Sequence, residues 1–126
     1  MEKLYIEETK YTPKVECDAL SGTILLSGKS YPENTFEFYQ PLIDWINLYF
    51  RQSPAKKTVL NMEIIYFNSS SSKLFFDLFD LLEEKSREFD IEINWIFDKE
   101  NESAQEAGED FVEDFEALKI NLVAKD

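Results

Sequence analysis

Four consecutive serines, Ser69 to Ser72, lie between Asn68 and Lys73, and their hydroxyls are the side chains here to which a chemical role is most readily assigned. Serine hydroxyls can cap the free N–H groups at the start of a helix, or they can accept a phosphate from a kinase. A phosphate at a helix N-terminus would be stabilised by the same N–H groups, by the helix dipole and by Lys73. The residues alone favour the simpler capping role and leave phosphorylation open.

Other kinds of reactive site are poorly supported. The serine segment contains no glycine and lacks the Gly-Lys-Ser/Thr ending of a P-loop. The chain has no histidine, the usual general base and commonest metal ligand, and Cys17 therefore has no histidine to activate it. The acids after the serines are spread around a predicted helix, which indicates a solvated face rather than a metal site: Asp77, Asp80, Glu83 and Glu84. We therefore expect no catalysis, no metal and no cofactor.

The composition is typical of an acidic folded domain. The chain has 126 residues, of which 44% are hydrophobic and 15% aromatic, and a single domain over residues 1–126 is expected. A net charge of −13 disfavours nucleic acid and anionic membranes and favours a basic protein surface as partner. A single cysteine, with no signal peptide and no apolar run of membrane length, predicts a cytoplasmic protein.

Strands and helices alternate along the chain, which predicts an α/β fold with a mixed β-sheet covered by helices. Strands are expected over residues 14–18, 23–27, 58–67, 91–97 and 118–124, and helices over 35–51, 70–87 and 100–116. The apolar run from Val59 to Phe67 suits a central strand covered on both faces. Pro41 predicts either a kink in the first helix or a later start near Gln40, and Gly108 favours a break in the third.

The helix after the serines has a broad apolar arc and one aromatic residue outside it. Phe76 projects among acidic residues, as the anchor of a partner-binding face would, while Phe79 lies at the edge of the arc. A second helix that covers Phe76 explains the pattern equally well, because single surface aromatics are ordinary. The arc itself contains Leu74, Phe75, Leu78, Leu81 and Leu82.

Three stretches of the chain together resemble the SiaC family of bacterial regulatory phosphoproteins, whose fold is similar to the STAS domains of anti-sigma-factor antagonists. The similarity extends from about Thr12 to the last strand and implies a STAS-like fold. The stretches are Ser30-Tyr31-Pro32-Glu33-Asn34, then Leu42-Ile43-Asp44-Trp45, then Tyr66 to Lys73 with Asp77 to Glu84.

The resemblance implies that the residue after the asparagine, Ser69, accepts the phosphate. Ser70 and Ser71 remain alternatives because four adjacent serines blur the assignment. The family also implies a partner kinase, a partner phosphatase and an effector that binds one phosphorylation state. In this family the unphosphorylated form binds and activates a diguanylate cyclase, which links it to biofilm control.

Two other functions remain open. One is that of an anti-sigma-factor antagonist. Those proteins carry aspartate where this chain has Asn68, followed by a glycine that is missing here, and both differences argue against an anti-sigma factor as the target. A constitutive scaffold could use the same helix without phosphorylation.

The position of Phe76 and the resemblance together predict one partner-binding face beside Ser69. Ser70 would cap the helix while Ser69 is modified. The face is expected to comprise Tyr31, Glu33, Asn68, Lys73, Phe76, Phe79 and Asp80.

Overall fold

The structure is a computed structural model that describes residues 1–52 and 54–126. It has six strands and three helices, and it confirms the α/β fold class with a mixed sheet and helices packed on it. In chain order the elements are β1 (Leu4–Ile6), β2 (Lys14–Asp18), β3 (Thr23–Ser30), α1 (Thr35–Arg51), β4 (Lys57–Phe67), α2 (Ser69–Lys85), β5 (Asp90–Asp98), α3 (Glu102–Asp114) and β6 (Lys119–Lys125).

The strands lie in the sheet in their order along the chain, from β1 to β6. The first two neighbouring pairs are antiparallel, and the pairs from β3 to β6 are parallel. A short turn joins β2 to β3, and Gly22 in it has a φ of 71°, which favours glycine. Each later connection contains one helix. Since such crossovers are right-handed and all move in one direction across the sheet, the three helices cover the same face.

The prediction that β4 is covered on both faces is wrong. Leu60, Met62 and Ile64 are buried under the helices, but Asn61 and Glu63 alternate with them on the opposite face. None of the helices in residues 1–52 and 54–126 lies on that face, because every crossover lies on the other side of the sheet. The strand therefore has the alternating pattern of a half-covered sheet.

Polar side chains occupy the open face. Asn94 donates from Nδ2 to Asn61 Oδ1 at 2.9 Å, and Asn121 donates from Nδ2 to Asn94 Oδ1 at 2.9 Å, so that a row of asparagines crosses three parallel strands. Glu92 lies 2.8 Å from Lys57 Nζ, and the hydrogen bond from this lysine lowers the carboxyl pKa to about 2, with further help from Asn121. These contacts explain how a sheet with one uncovered face remains compatible with water.

Neither of the two residues expected to shorten or break a helix does so. α1 begins at Thr35, directly after its N-cap Asn34, so a later start forced by Pro41 is wrong. α3 continues through Gly108, so a break there is wrong as well. A Cβ at Gly108 would lie 2.5 Å from Cδ1 of Trp95, and glycine therefore serves close packing of helix on sheet.

The single cysteine lies in the core. Cys17 is free and 2% exposed, and burial raises its thiol pKa to about 12, in agreement with the expectation that it is inert.

Among the helices of the described residues, none is both long enough and apolar enough to cross a bilayer.

Candidate functional site

The site begins at the turn between β4 and α2. Asn68 is the N-cap of α2, and its Oδ1 accepts the backbone N–H of Ser71 at 2.9 Å. The helix therefore starts at Ser69, and the prediction that Ser70 provides the cap is wrong. Asparagine takes this role because its short amide reaches the free N–H of the third helical residue while its own backbone remains extended.

The serines occupy three different environments. Ser69 and Ser70 are exposed, Ser72 is half-buried, and Ser71 is completely buried. The structure therefore contradicts the alternative in which Ser71 accepts the phosphate, because a kinase cannot reach its hydroxyl. Ser69 and Ser70 remain accessible, and both lie in the first turn, where backbone N–H groups have no intrahelical partner.

A buried chain of hydroxyl groups lies directly under this turn. Ser71 Oγ donates to the carbonyl oxygen of Ser30 at 3.0 Å, and the Oγ atoms of Ser30 and Ser71 are 2.7 Å apart. The hydroxyl of Tyr39 lies 2.5 Å from Ser30 Oγ, and burial raises the pKa of this phenol, partly opposed by that hydrogen bond. These hydrogen-bonded hydroxyl groups hold β3, α1 and α2 together. The sequence does not reveal it, although Ser30 begins one of the stretches that carry the family resemblance.

Lys73 and Glu33 line the same groove beside the turn. The groove has a volume of about 340 Å³ and lies between the first turn of α1 and the first two turns of α2, with Leu74 buried at its base. Lys73 Nζ is 3.7 Å from Asp77 Oδ2, and both side chains are more than half exposed. Such an exposed pair contributes little stability, so Lys73 can turn toward a charge at Ser69.

Four of the predicted residues share one face of α2. They are separated by three or four residues, so their side chains form a stripe along the helix: Ser69, Lys73, Phe76 and Asp80. Phe76 is 42% exposed, and its ring centroid lies 4.8 Å from that of Phe115. The residue after α3 therefore covers part of the Phe76 ring and leaves the rest to solvent.

The prediction that Phe79 contributes to an exposed binding face is wrong. Phe79 is completely buried, and its ring lies 4.7 Å from Phe111 and 5.7 Å from Phe115. Periodicity placed Phe79 at the edge of the apolar arc, but α3 packs over that edge. Phe79 is a core residue that holds α2 against α3.

Tyr31 is half-buried within a tyrosine cluster that the sequence did not predict. Its ring contacts those of Tyr11 and Tyr66 edge-to-face, at centroid distances of 5.2 and 5.5 Å. Tyr11 and Tyr66 are both more than half exposed. Tyr66 lies at the end of β4, two residues before Asn68, so the cluster adds aromatic surface close to the serine turn.

Comparisons with known proteins show which family the chain belongs to. The family model for SiaC family regulatory phosphoproteins matches residues 6–125. An uncharacterized protein of Pseudomonas aeruginosa (strain UCBPP-PA14) is 34% identical over 115 residues, which is 90% of each chain.

Solved structures of SiaC are also similar to this chain. The crystal structure of the diguanylate cyclase SiaD in complex with its activator SiaC, from Pseudomonas aeruginosa, contains a chain with a TM-score of 0.89 and 32% identity; the match covers 97% of this chain and 99% of that one. A structure of SiaC of Pseudomonas aeruginosa has a TM-score of 0.88 at 30% identity, over 99% of this chain and 100% of that one. The chain described here therefore belongs to the SiaC family of regulatory phosphoproteins.

Proposed function

We propose that residues 1–126 form one regulatory domain that binds a diguanylate cyclase and is switched by phosphorylation of Ser69. The domain carries out no catalysis itself and acts in the cytoplasm, where a kinase adds the phosphate and a phosphatase removes it. The observation that carries the proposal is the exposed position of Ser69 directly after the N-cap of α2, in a chain of a regulatory phosphoprotein family. SiaC of Pseudomonas aeruginosa is the activator of the cyclase SiaD, and this chain shares its fold.

The surroundings of Ser69 suit a phosphate. A group attached at the first residue of α2 meets free backbone N–H groups and the positive end of the helix dipole. Lys73 lies one turn further along and is held only by an exposed pair with Asp77. The folded domain can therefore accept the added charge of about −1.5 to −2 without rearranging.

Replacing Ser69 with alanine is expected to abolish phosphorylation by the cognate kinase. The matched control is Ser70→Ala, which removes the other exposed hydroxyl of the turn and should leave phosphorylation near the level of the unchanged protein. Phosphopeptide mapping of the three proteins measures the result. Undiminished phosphorylation of Ser69→Ala would exclude Ser69 as the acceptor.

Phe76→Ala is expected to weaken binding to the cyclase by about 2 kcal/mol or more, roughly thirtyfold, because a partner would bury the exposed part of the ring. The stability of the free domain should fall by only about 1 kcal/mol, since one aromatic contact, with Phe115, is lost. Titration calorimetry and thermal unfolding measure the two effects separately.

Tyr5→Ala provides the control for that substitution. Tyr5 is 60% exposed on β1, at the far edge of the sheet from α2, and its removal should leave binding unchanged. Equal binding by the Phe76→Ala protein and the unchanged protein would remove Phe76 from the interface.

A constitutive scaffold is the second candidate. The observation in its favour is that α2 has an N-cap without a phosphate, because Asn68 Oδ1 accepts the N–H of Ser71. Intact-mass analysis of protein purified from its native host separates the two functions, since only the switch requires a phosphorylated population.

A further inference from the structure

We infer that Ser71 is a positioning residue for phosphorylation: its buried hydroxyl fixes the turn that presents Ser69 to the kinase. Because phosphorylation of Ser69 is itself proposed above, this role depends on the proposed function. Ser71 does not touch the phosphate donor and acts only through the geometry of the turn.

The carbonyl oxygen of Ser30 fixes the turn from both sides. It accepts the backbone N–H of Asn68 at 3.1 Å and the hydroxyl of Ser71 at 3.0 Å. The N–H of Ser71 in turn donates to Asn68 Oδ1 at 2.9 Å. The residues before and after the accessible serines are thus held to one buried point, while Ser69 and Ser70 project to solvent.

The direction of the hydrogen bonds explains why Ser71 itself is locked. Its single hydroxyl proton is used by the carbonyl of Ser30, so Ser71 Oγ must accept the proton of Ser30 Oγ. Ser30 Oγ then accepts from Tyr39, whose phenol burial keeps protonated. Each of the three hydroxyl protons has one acceptor, and all three side chains are 0 to 1% exposed. Among the described residues, no buried side-chain nitrogen or oxygen lacks a partner.

This arrangement affects both the rate and the site of modification. A kinase transfers a phosphoryl group only to a hydroxyl held in line with its donor, and small misplacements cost rate. If the tether to Ser30 is lost, the turn gains freedom and Ser70 competes with Ser69. Ser71 therefore favours Ser69 over Ser70, the two exposed serines of the turn.

The test compares Ser71→Ala with two tyrosine variants that also lose a buried hydroxyl. Tyr39→Phe shortens the hydroxyl chain at its other end but keeps both hydrogen bonds to the Ser30 carbonyl. Tyr49→Phe removes a hydroxyl that lies 2.8 Å from Thr58 Oγ1, at the opposite end of β4, and that accepts the backbone N–H of Ala55 at 3.0 Å. Tyr39→Phe loses one hydrogen bond of a buried hydroxyl, and Ser71→Ala and Tyr49→Phe lose two each, so a general loss of stability should affect all three variants and Tyr49→Phe as much as Ser71→Ala.

Hydrogen exchange of the unmodified proteins reports on the turn without a kinase. In Ser71→Ala the amides of Asn68 and Ser72 are expected to exchange about tenfold faster, because the tether is lost. With the cognate kinase, kcat/KM at Ser69 should fall by about fivefold or more and the fraction of phosphate on Ser70 should rise. Both tyrosine variants should match the unchanged protein in these measurements, made well below each melting temperature.

Unchanged amide exchange in Ser71→Ala, or rates and site distributions equal to those of Tyr39→Phe, would overturn the positioning role while leaving the proposed function intact. If the unchanged protein is not phosphorylated at Ser69, the proposed function fails and this role fails with it. Should Ser71→Ala not fold, Ser71→Cys takes its place, because the thiol is similar in shape but a weak donor.

Discussion

Protein phosphorylated at Ser69 is expected to bind its cyclase partner at least about thirtyfold more weakly than the unmodified protein, a difference of about 2 kcal/mol. Ser69 lies on the same stripe of α2 as Phe76, so a partner that buries the Phe76 ring also covers Ser69. Burial of a phosphate without a dedicated cationic pocket carries a desolvation cost of several kcal/mol. Titration calorimetry of both forms measures the difference.

The stability of the free domain should change little on phosphorylation. We expect Lys73 and the helix N-terminus to stabilise a phosphate on Ser69 in the free domain, so both forms should unfold at nearly the same temperature. An arginine cluster on the partner would instead strengthen binding, and we expect the loss of binding because the family resemblance, rather than electrostatics, implies it. Equal affinities would place Ser69 outside the interface, and tighter binding by the phosphorylated form would reverse the mechanism. Ser69→Asp carries less charge and is the poorer reagent.

Phe79→Ala is expected to destabilise the domain by about 3–5 kcal/mol, the range for removing a fully buried phenylalanine. The ring fills the space between α2 and two phenylalanines at the end of α3, Phe111 and Phe115, so its loss leaves a cavity under both helices. Denaturant unfolding of the variant and the unchanged protein measures the free energy of unfolding.

Phe76→Ala is the matched control for this substitution. It is the same change on the same helix, three residues away, and it should cost only about 1 kcal/mol because its ring is partly exposed. Similar losses from the two substitutions would show that α3 does not cover Phe79 in the way described.

The contrast between Phe76 and Phe79 shows where sequence periodicity is sufficient. The 3.6-residue period correctly separates the buried arc of α2 from its exposed side. It does not show which element covers the edge of the arc. That depends on where α3 packs, and α3 is separated from α2 along the chain by β5. Periodicity therefore leaves Phe79 at the edge of the arc, although it is fully buried, whereas it correctly sets Phe76 outside the arc.

The sheet gives a second example. Strand positions followed from apolar runs, and α1 has the predicted bounds, Thr35–Arg51. β1 was not predicted because its three residues are too few for a pattern. The apolar run from Val59 to Phe67 also hides the open face of β4, because Asn61 and Glu63 are few beside the apolar residues around them. Their alternation becomes informative only when the strand order shows that all helices lie on one side.

The serine turn sets the limit of sequence-based assignment. Its four serines are chemically identical, and the position of Ser69 after Asn68 was the only local signal. The structure distinguishes Ser71 from its neighbours through Ser30, which is 41 residues away in the chain. A contact of that separation depends on the folded arrangement of β3 and α2 and has no local sequence pattern.

The most direct measurement is the rate of cyclic-di-GMP synthesis by a SiaD-type diguanylate cyclase in the presence of this protein. The unmodified protein is expected to raise the rate, and the same protein phosphorylated at Ser69 is expected to leave it near the rate of the cyclase alone. Ser69→Ala protein treated with the kinase should retain full activation, which separates the effect of the phosphate from that of the treatment. Equal activation by the phosphorylated and unmodified forms, or no activation by either, would contradict a phosphorylation-controlled activator.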